Sequence, residues 1–203
     1  MSDDRLQKLM LGIGIAVPFL YFGAQLVALP FYPGYDMVSQ VASELGSPQS
    51  TQPWVLNSLI ILTGLAQLIA AIAIPRALAR LEAWPWIAWA IGIILAMAAV
   101  GTIKAGIFAM PDPRHGSMGY LAVSLMVFSP LLLAALWPRE DTLKLKIYLA
   151  ISILATLALL PILSGATGID IPPIKGLLQR IFALATFPPI AVASAYLLRH
   201  PDP

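Results

Sequence analysis

The chain has 203 residues, of which 59% are hydrophobic and only 11% charged, with a formal net charge of +2. Soluble globular domains carry about 25% charged residues, so this deficit and a mean hydropathy of +0.84 exclude an ordinary soluble domain. Cysteine is absent and the two histidines are His115 and, in the polar tail, His200. That excludes disulfides, thiolate metal sites, iron–sulfur clusters and bis-histidine haem, so no cofactor and no metal site is expected. A net charge this small gives no reason to expect nucleic acid as a partner.

Apolar runs approaching ~20 residues, long enough for a bilayer core of ~30 Å, recur along the chain. The first, about 9–29, contains Pro18 and is too long for the ~7–15-residue apolar region of a signal peptide, so it reads as an uncleaved span. The following stretch, Tyr35 to Gly46, reads YDMVSQVASELG and is the most polar segment between two apolar runs. At 100° per residue, Asp36, Ser39, Gln40, Ser43 and Glu44 share one arc, while Met37, Val38, Val41, Ala42 and Leu45 share the other. Asp36 suits an N-cap, and Gly46 followed by Pro48 a stop. The pattern predicts an amphipathic loop helix over 36–45, lying on a helical bundle.

Span two is expected over about 54–79, with Asn57 near its start, and span three over about 84–108, with Trp84, Trp86 and Trp89 at an interface and Lys104 one turn before its end. Span four follows at about 118–137 (Pro130), span five at about 147–164 (Pro161) and span six at about 174–198, with Arg180 in its first turns and Pro188-Pro189 further on. The predicted class is an all-α integral membrane protein, 1–203 forming a single six-span domain with one loop helix.

Arg5, Lys8, Arg76, Arg80, Arg139, Lys144, Lys146 and Arg199 fall on one side of this arrangement; Lys104, Arg114, Lys175 and Arg180 fall on the other. Cytoplasmic loops carry the excess of Lys and Arg. With an even number of spans, both termini are expected in the cytoplasm of a bacterial-type plasma membrane, and the loop helix outside.

The outer side then holds most of the chemistry. A charge inside an apolar run costs ~2.5–3.5 kcal/mol even on a lenient insertion scale, so Lys104 and Arg180 are expected to pair, to snorkel or to hold an anion. One reading is a clasp in which Glu44 or Asp36 neutralises them and pins the loop to the bundle. Another is a site for a lipid phosphate or carboxylate, built from Asp36, Ser39, Ser43, Glu44, Asn57, Lys104 and Arg180. An enzyme would use Ser43, Asp112 and His115, but no nucleophile motif frames either loop serine. A small transporter is a further alternative, for which the proline-broken spans speak and the scarcity of mid-depth polar residues does not.

Several of these motifs, in order along nearly the whole chain, resemble one family: YDMVSQVASELG, Asn57, Phe108 with Asp112-Pro113, His115, and Gly176-Leu-Leu-Gln-Arg180. It is the bacterial and archaeal six-span family called domain of unknown function 998, distantly similar to eukaryotic Frag/DRAM-like proteins, some of them tied to remodelling of lipid anchors. The resemblance implies a six-span fold and an outer polar site, and no established reaction. The expected function is therefore binding of a membrane lipid or other amphiphile, or service as a small subunit beside other membrane proteins, with a lipid hydrolase or acyltransferase as the enzymatic alternative.

Overall fold

The computed structural model describes residues 3–81, 83–115 and 119–200, the side chains of 119–123 excepted. The expected start of span four at Met118 lies outside these residues. All the described regular structure is helical: α1 (Asp3–Ala28), α2 (Pro53–Arg80), α3 (Pro85–Ile107), α4 (Gly119–Leu136), α5 (Leu143–Leu163), α6 (Lys175–Thr186) and α7 (Pro188–Arg199). Five segments are long and apolar enough to cross a membrane: Asp3–Phe31, Pro53–Arg80, Pro85–Ile107, Glu140–Leu163 and Pro172–Arg199. The fourth apolar segment, Ser124–Leu136, is shorter.

The helix starts follow local chemistry. Proline occupies the first turn of α2, α3 and α7, where its missing N–H costs nothing. Pro188-Pro189 also explains why the last apolar run divides into α6 and α7: neither ring nitrogen can donate to a carbonyl of α6. Phe187 stands at the break, its N–H donating to Ala183 O at 2.9 Å.

The main core joins α1, α2, α3, α4 and α7 through Val17, Ile74, Leu78, Ile91, Leu95, Phe128 and Ile190, all fully buried. Large apolar side chains such as Phe19, Trp89 and Leu154 point outward, as lipid-facing residues do. A second cluster, Ala24, Ala28, Leu45, Val55 and Leu56, closes one end of the bundle beneath the 35–46 segment. At the opposite end Gln7 Nε2 donates to Ala73 O at 2.7 Å, Arg80 pairs with Asp3 at 3.1 Å, and Arg139 Nε donates to the Tyr196 hydroxyl at 3.0 Å.

Candidate functional site

The predicted loop helix over 36–45 is replaced by two tight turns. Asp36 does cap: its carboxylate accepts from Val38 N at 3.0 Å, Ser39 N at 3.2 Å and Ser39 Oγ at 2.6 Å. These bonds, the Ser39 hydroxyl foremost, hold the Asp36 carboxyl below the usual carboxylate range. One α-type bond, Gln40 N to Asp36 O at 2.9 Å, closes the first turn. A continuous helix would next join Val41 N to Met37 O and Glu44 N to Gln40 O. Instead Arg180 Nη1 donates to both of those carbonyls, at 2.8 and 3.0 Å. Val41 N turns to Glu44 Oε1 at 3.0 Å and Glu44 N to Val41 O at 3.0 Å, starting a 3₁₀ turn over Ala42–Gly46. A tertiary cation has outbid the local helix.

The clasp between loop and bundle is real, but it is not the expected ion pair. Arg180 Nη1 also donates to Gly176 O at 2.9 Å, and Nη2 donates to the Tyr35 hydroxyl at 2.6 Å. Glu44 serves the loop itself, accepting from Gln40 Nε2 at 2.9 Å and from Val41 N. Further loop-to-α6 bonds run from Leu177 N to Val38 O at 2.8 Å and from Ala42 N to Gln179 Oε1 at 2.7 Å. Gly176 is required here, since a Cβ would collide with the Gln40 carbonyl. Neutral acceptors thus take Nη1 and Nη2 of a guanidinium that offers five donors in a fixed fork, while Arg180 Nε is buried without a hydrogen-bond partner among the described residues.

Beneath this roof lies a cavity of about 540 Å³, within the ~300–1,000 Å³ typical of small-molecule sites. Its mouth carries Ser43, Asn57, Lys104, His115, Lys175 and Gln179. Its shaft is apolar, with Ile60, Ala98, Leu125 and Phe182 on the walls and Tyr21 stacked on Phe187 at 4.0 Å between ring centroids. Asn57 is fixed by donating from Nδ2 to Gly46 O at 3.0 Å.

The enzymatic constellation does not assemble. The Asp112 carboxylate is held by Arg114 through Nη2 at 2.7 Å and Nε at 3.0 Å, which holds its pKa down at about 2. Arg114 also lies 4.0 Å over the Phe108 ring. His115 Nδ1 stands 2.8 Å from Phe108 O rather than against Asp112, and Ser43 Oγ donates to Met110 Sδ at 3.1 Å. Ser43 and His115 both line the cavity, while Asp112 does not.

Of the residues predicted for a ligand site, Ser43, Asn57 and Lys104 line the cavity; Asp36, Ser39, Glu44 and Arg180 build and fasten its roof. Sequence reasoning gave no role to Lys175 and Gln179. Their signal was the spacing 175, 179, 182, 183 and 186, one face of α6, with Gly176 and Arg180 on the neighbouring face turned to the loop. For a conduit, the helix hydroxyls are poor candidates: Thr63, Thr102 and Thr156 donate to the carbonyls four residues back at 2.8, 3.0 and 2.7 Å. Gln67 is fully buried, its amide without a hydrogen-bond partner among the described residues, and stands outside the cavity lining.

No curated protein and no solved structure matches the chain. A family model, described as "Protein of unknown function (DUF998)", matches residues 15–196, which bears out the resemblance carried by the loop, Asn57, the Phe108–His115 segment and the start of α6. The chain belongs to the DUF998 family.

Proposed function

We propose that the protein is a six-span plasma-membrane protein that binds an amphiphile in the cavity under the 35–46 loop, chain in the apolar shaft and head at the polar mouth. The observation that carries this reading is the division of the cavity itself, with Lys104, Lys175, Asn57 and Gln179 at one end and only weakly polar or apolar groups at the other. The lining follows one face of α6 from Lys175 through Gln179, Phe182 and Thr186 to Phe187, just past its end. In the proposed topology both termini are cytoplasmic and the mouth faces outward.

A hydrolytic reading has one observation in its favour. The Phe108 carbonyl can only accept, so Nδ1 of His115 is the donor in that contact and Nε2 is the ring nitrogen left to other partners, in a cavity that Ser43 also lines.

Native mass spectrometry of the protein purified in mild detergent tests both. The expected result is a co-purified amphiphile of discrete mass, lost when Ala105→Phe fills the cavity. Recovery of ligand-free protein with unchanged spectra for Ala105→Phe would remove the binding reading. Accumulation of an uncleaved lipid on Ser43→Ala or His115→Ala would give the site to a hydrolase.

A further inference from the structure

Resting on the amphiphile reading, we infer that the cavity is a ruler for hydrocarbon tails. It takes the tail end-on from the mouth and stops it at the stacked rings of Tyr21 and Phe187, so that it selects tails about as long as one membrane leaflet is deep. On each helix the lining breaks off partway: at Tyr21 on α1, Ile60 on α2, Ala98 on α3, Met126 on α4, and Phe187 where α6 gives way to α7. Measured from Ala28, Pro53, Ile107 and Lys175, where α1, α2, α3 and α6 meet the loop end, the lining reaches about 10–18 Å inward at 1.5 Å per residue. Half of a ~30 Å bilayer core is ~15 Å.

Below that depth the molecule is solid. Val17, Thr63, Leu95, Phe128 and Ile190 stand about one turn further in on the same elements, and all are fully buried. The four apolar ones belong to the main core, and Thr63 turns its hydroxyl back to donate to Leu59 O at 2.8 Å. A tail therefore meets a closed end, not a passage through the bundle.

Two rings make the stop. Tyr21 and Phe187 stack at 4.0 Å between centroids and 19° between planes, and both line the cavity. The backbone places Phe187: its N–H donates to Ala183 O at 2.9 Å, closing α6, and Pro188-Pro189 open α7 directly after it. A stacked pair yields less to a pushing tail than the flexible Met126 side chain, which lines the same shaft. Errors of length in either direction are costly here. A tail too short leaves lining groups without partner atoms. One too long must overpack the closed end or lift its head from the mouth. The surrounding bilayer solvates tails of every length, so the preference arises in the shaft.

The test uses the full chain, delipidated in a steroid-based detergent, which brings no alkyl chain of its own. Two ladders of saturated probes, free fatty acids and 1-monoacylglycerols stepped from octanoyl to stearoyl, compete for the protein in native mass spectrometry. Occupancy is expected to peak at one tail length, the same in each ladder that binds. It should fall about fivefold or more for tails several methylenes longer, the scale of overpacking. Phe187→Ala and Tyr21→Ala should each move the peak to longer tails, and Ala98→Leu should move it to shorter ones. Leu163→Ala, at the mouth end, should leave the peak in place. Retained binding of the shorter tails shows that these variants fold. Binding with no preferred length would overturn the ruler while leaving the amphiphile reading standing. So would a peak that stays put in all three floor variants, by placing the stop elsewhere. If neither ladder binds, both readings fall.

Discussion

Arg180 shows how one residue can set the structure of another segment. Its guanidinium holds three backbone carbonyls and the Tyr35 hydroxyl, while Glu44 answers the N–H of Val41 that the broken helix leaves behind. Hydrogen bonds to a charged group contribute about 1.5–3 kcal/mol each, and several sharing one donor do not add in full. Arg180→Gln should therefore destabilise the docked loop by about 2–4 kcal/mol. Hydrogen exchange of the amides of residues 36–46 should speed up ahead of any change in α2 or α3. Glu44→Gln should cost under about 1 kcal/mol, because the amide oxygen can still accept from Val41 N. The opposite ranking, with Glu44→Gln the more damaging, would restore an ionic clasp and remove Arg180 from its role.

At the scale of elements, α2 and α3 are held by close approach more than by bulk. On α2, Asn57, Gly64 and Ala71 recur every seven residues; on α3, Gly92, Ala99 and Gly106 do the same. The antiparallel pairing sets Gly106 against Asn57 O, Gly64 against Ala99 O and Gly92 against Ala71 O. Small residues at such a seam let backbones meet, the usual basis of helix association where lipid removes the hydrophobic drive. A Cβ at Gly106 would fall 2.7 Å from Asn57 O, whereas one at Gly92 would stand 3.0 Å from Pro75 Cγ and 3.1 Å from Ala71 O. Gly106→Ala should then lose about 1–3 kcal/mol by overpacking. Gly92→Ala should come out near neutral, strain being offset by the ~1 kcal/mol helix preference for alanine. Unfolding in mixed micelles checks this, and equal losses at both positions would deny that backbone contact governs the seam.

The seam was not read from the sequence, although its spacing was there to be counted. The apolar runs were legible because length and hydropathy act locally: five of them reappear as segments of membrane-crossing length, the last divided into α6 and α7. The 36–45 helix misled because its arcs and its cap are also local, and the Asp36 cap is in place, while the carbonyls that should have continued it are taken by a residue some 140 positions away. The site was half legible for the same reason. Polar residues at the loop end were found, but whether each faces the cavity, as Lys104 does, or the roof, as Arg180 does, depends on packing that no spacing displays.

For the whole molecule, the proposed orientation rests on how the cations are distributed between the two ends of the bundle. The ends of α1, α2 and α7 meet, since Asp4, Lys8, Arg80 and Leu198 border one small cleft. Arg139, just past α4, reaches Tyr196 of α7 and so belongs to that same end. This end holds eight of the twelve Lys and Arg residues, Arg5, Lys8, Arg76, Arg80, Arg139, Lys144, Lys146 and Arg199. Of the other four, Arg180 is locked into the roof and Lys104 lies within α3, so the loop end offers water even less positive charge than the count suggests. The eighteen residues of α4 measure ~27 Å at 1.5 Å per residue, close to the ~30 Å of a bilayer core, the length that the proposed sixth crossing requires. Ser47 and Thr142 are buried and unsuited to labelling, whereas Gln49, Ala166 and Glu140 are exposed. In intact cells, Gln49→Cys and Ala166→Cys should react with an impermeant maleimide, and Glu140→Cys only after the membrane is opened. Labelling of Glu140→Cys from outside, with Gln49→Cys protected, would invert the protein. Gln49→Cys and Ala166→Cys on opposite sides would break the paired crossings between them, and with them the single mouth that both loops border.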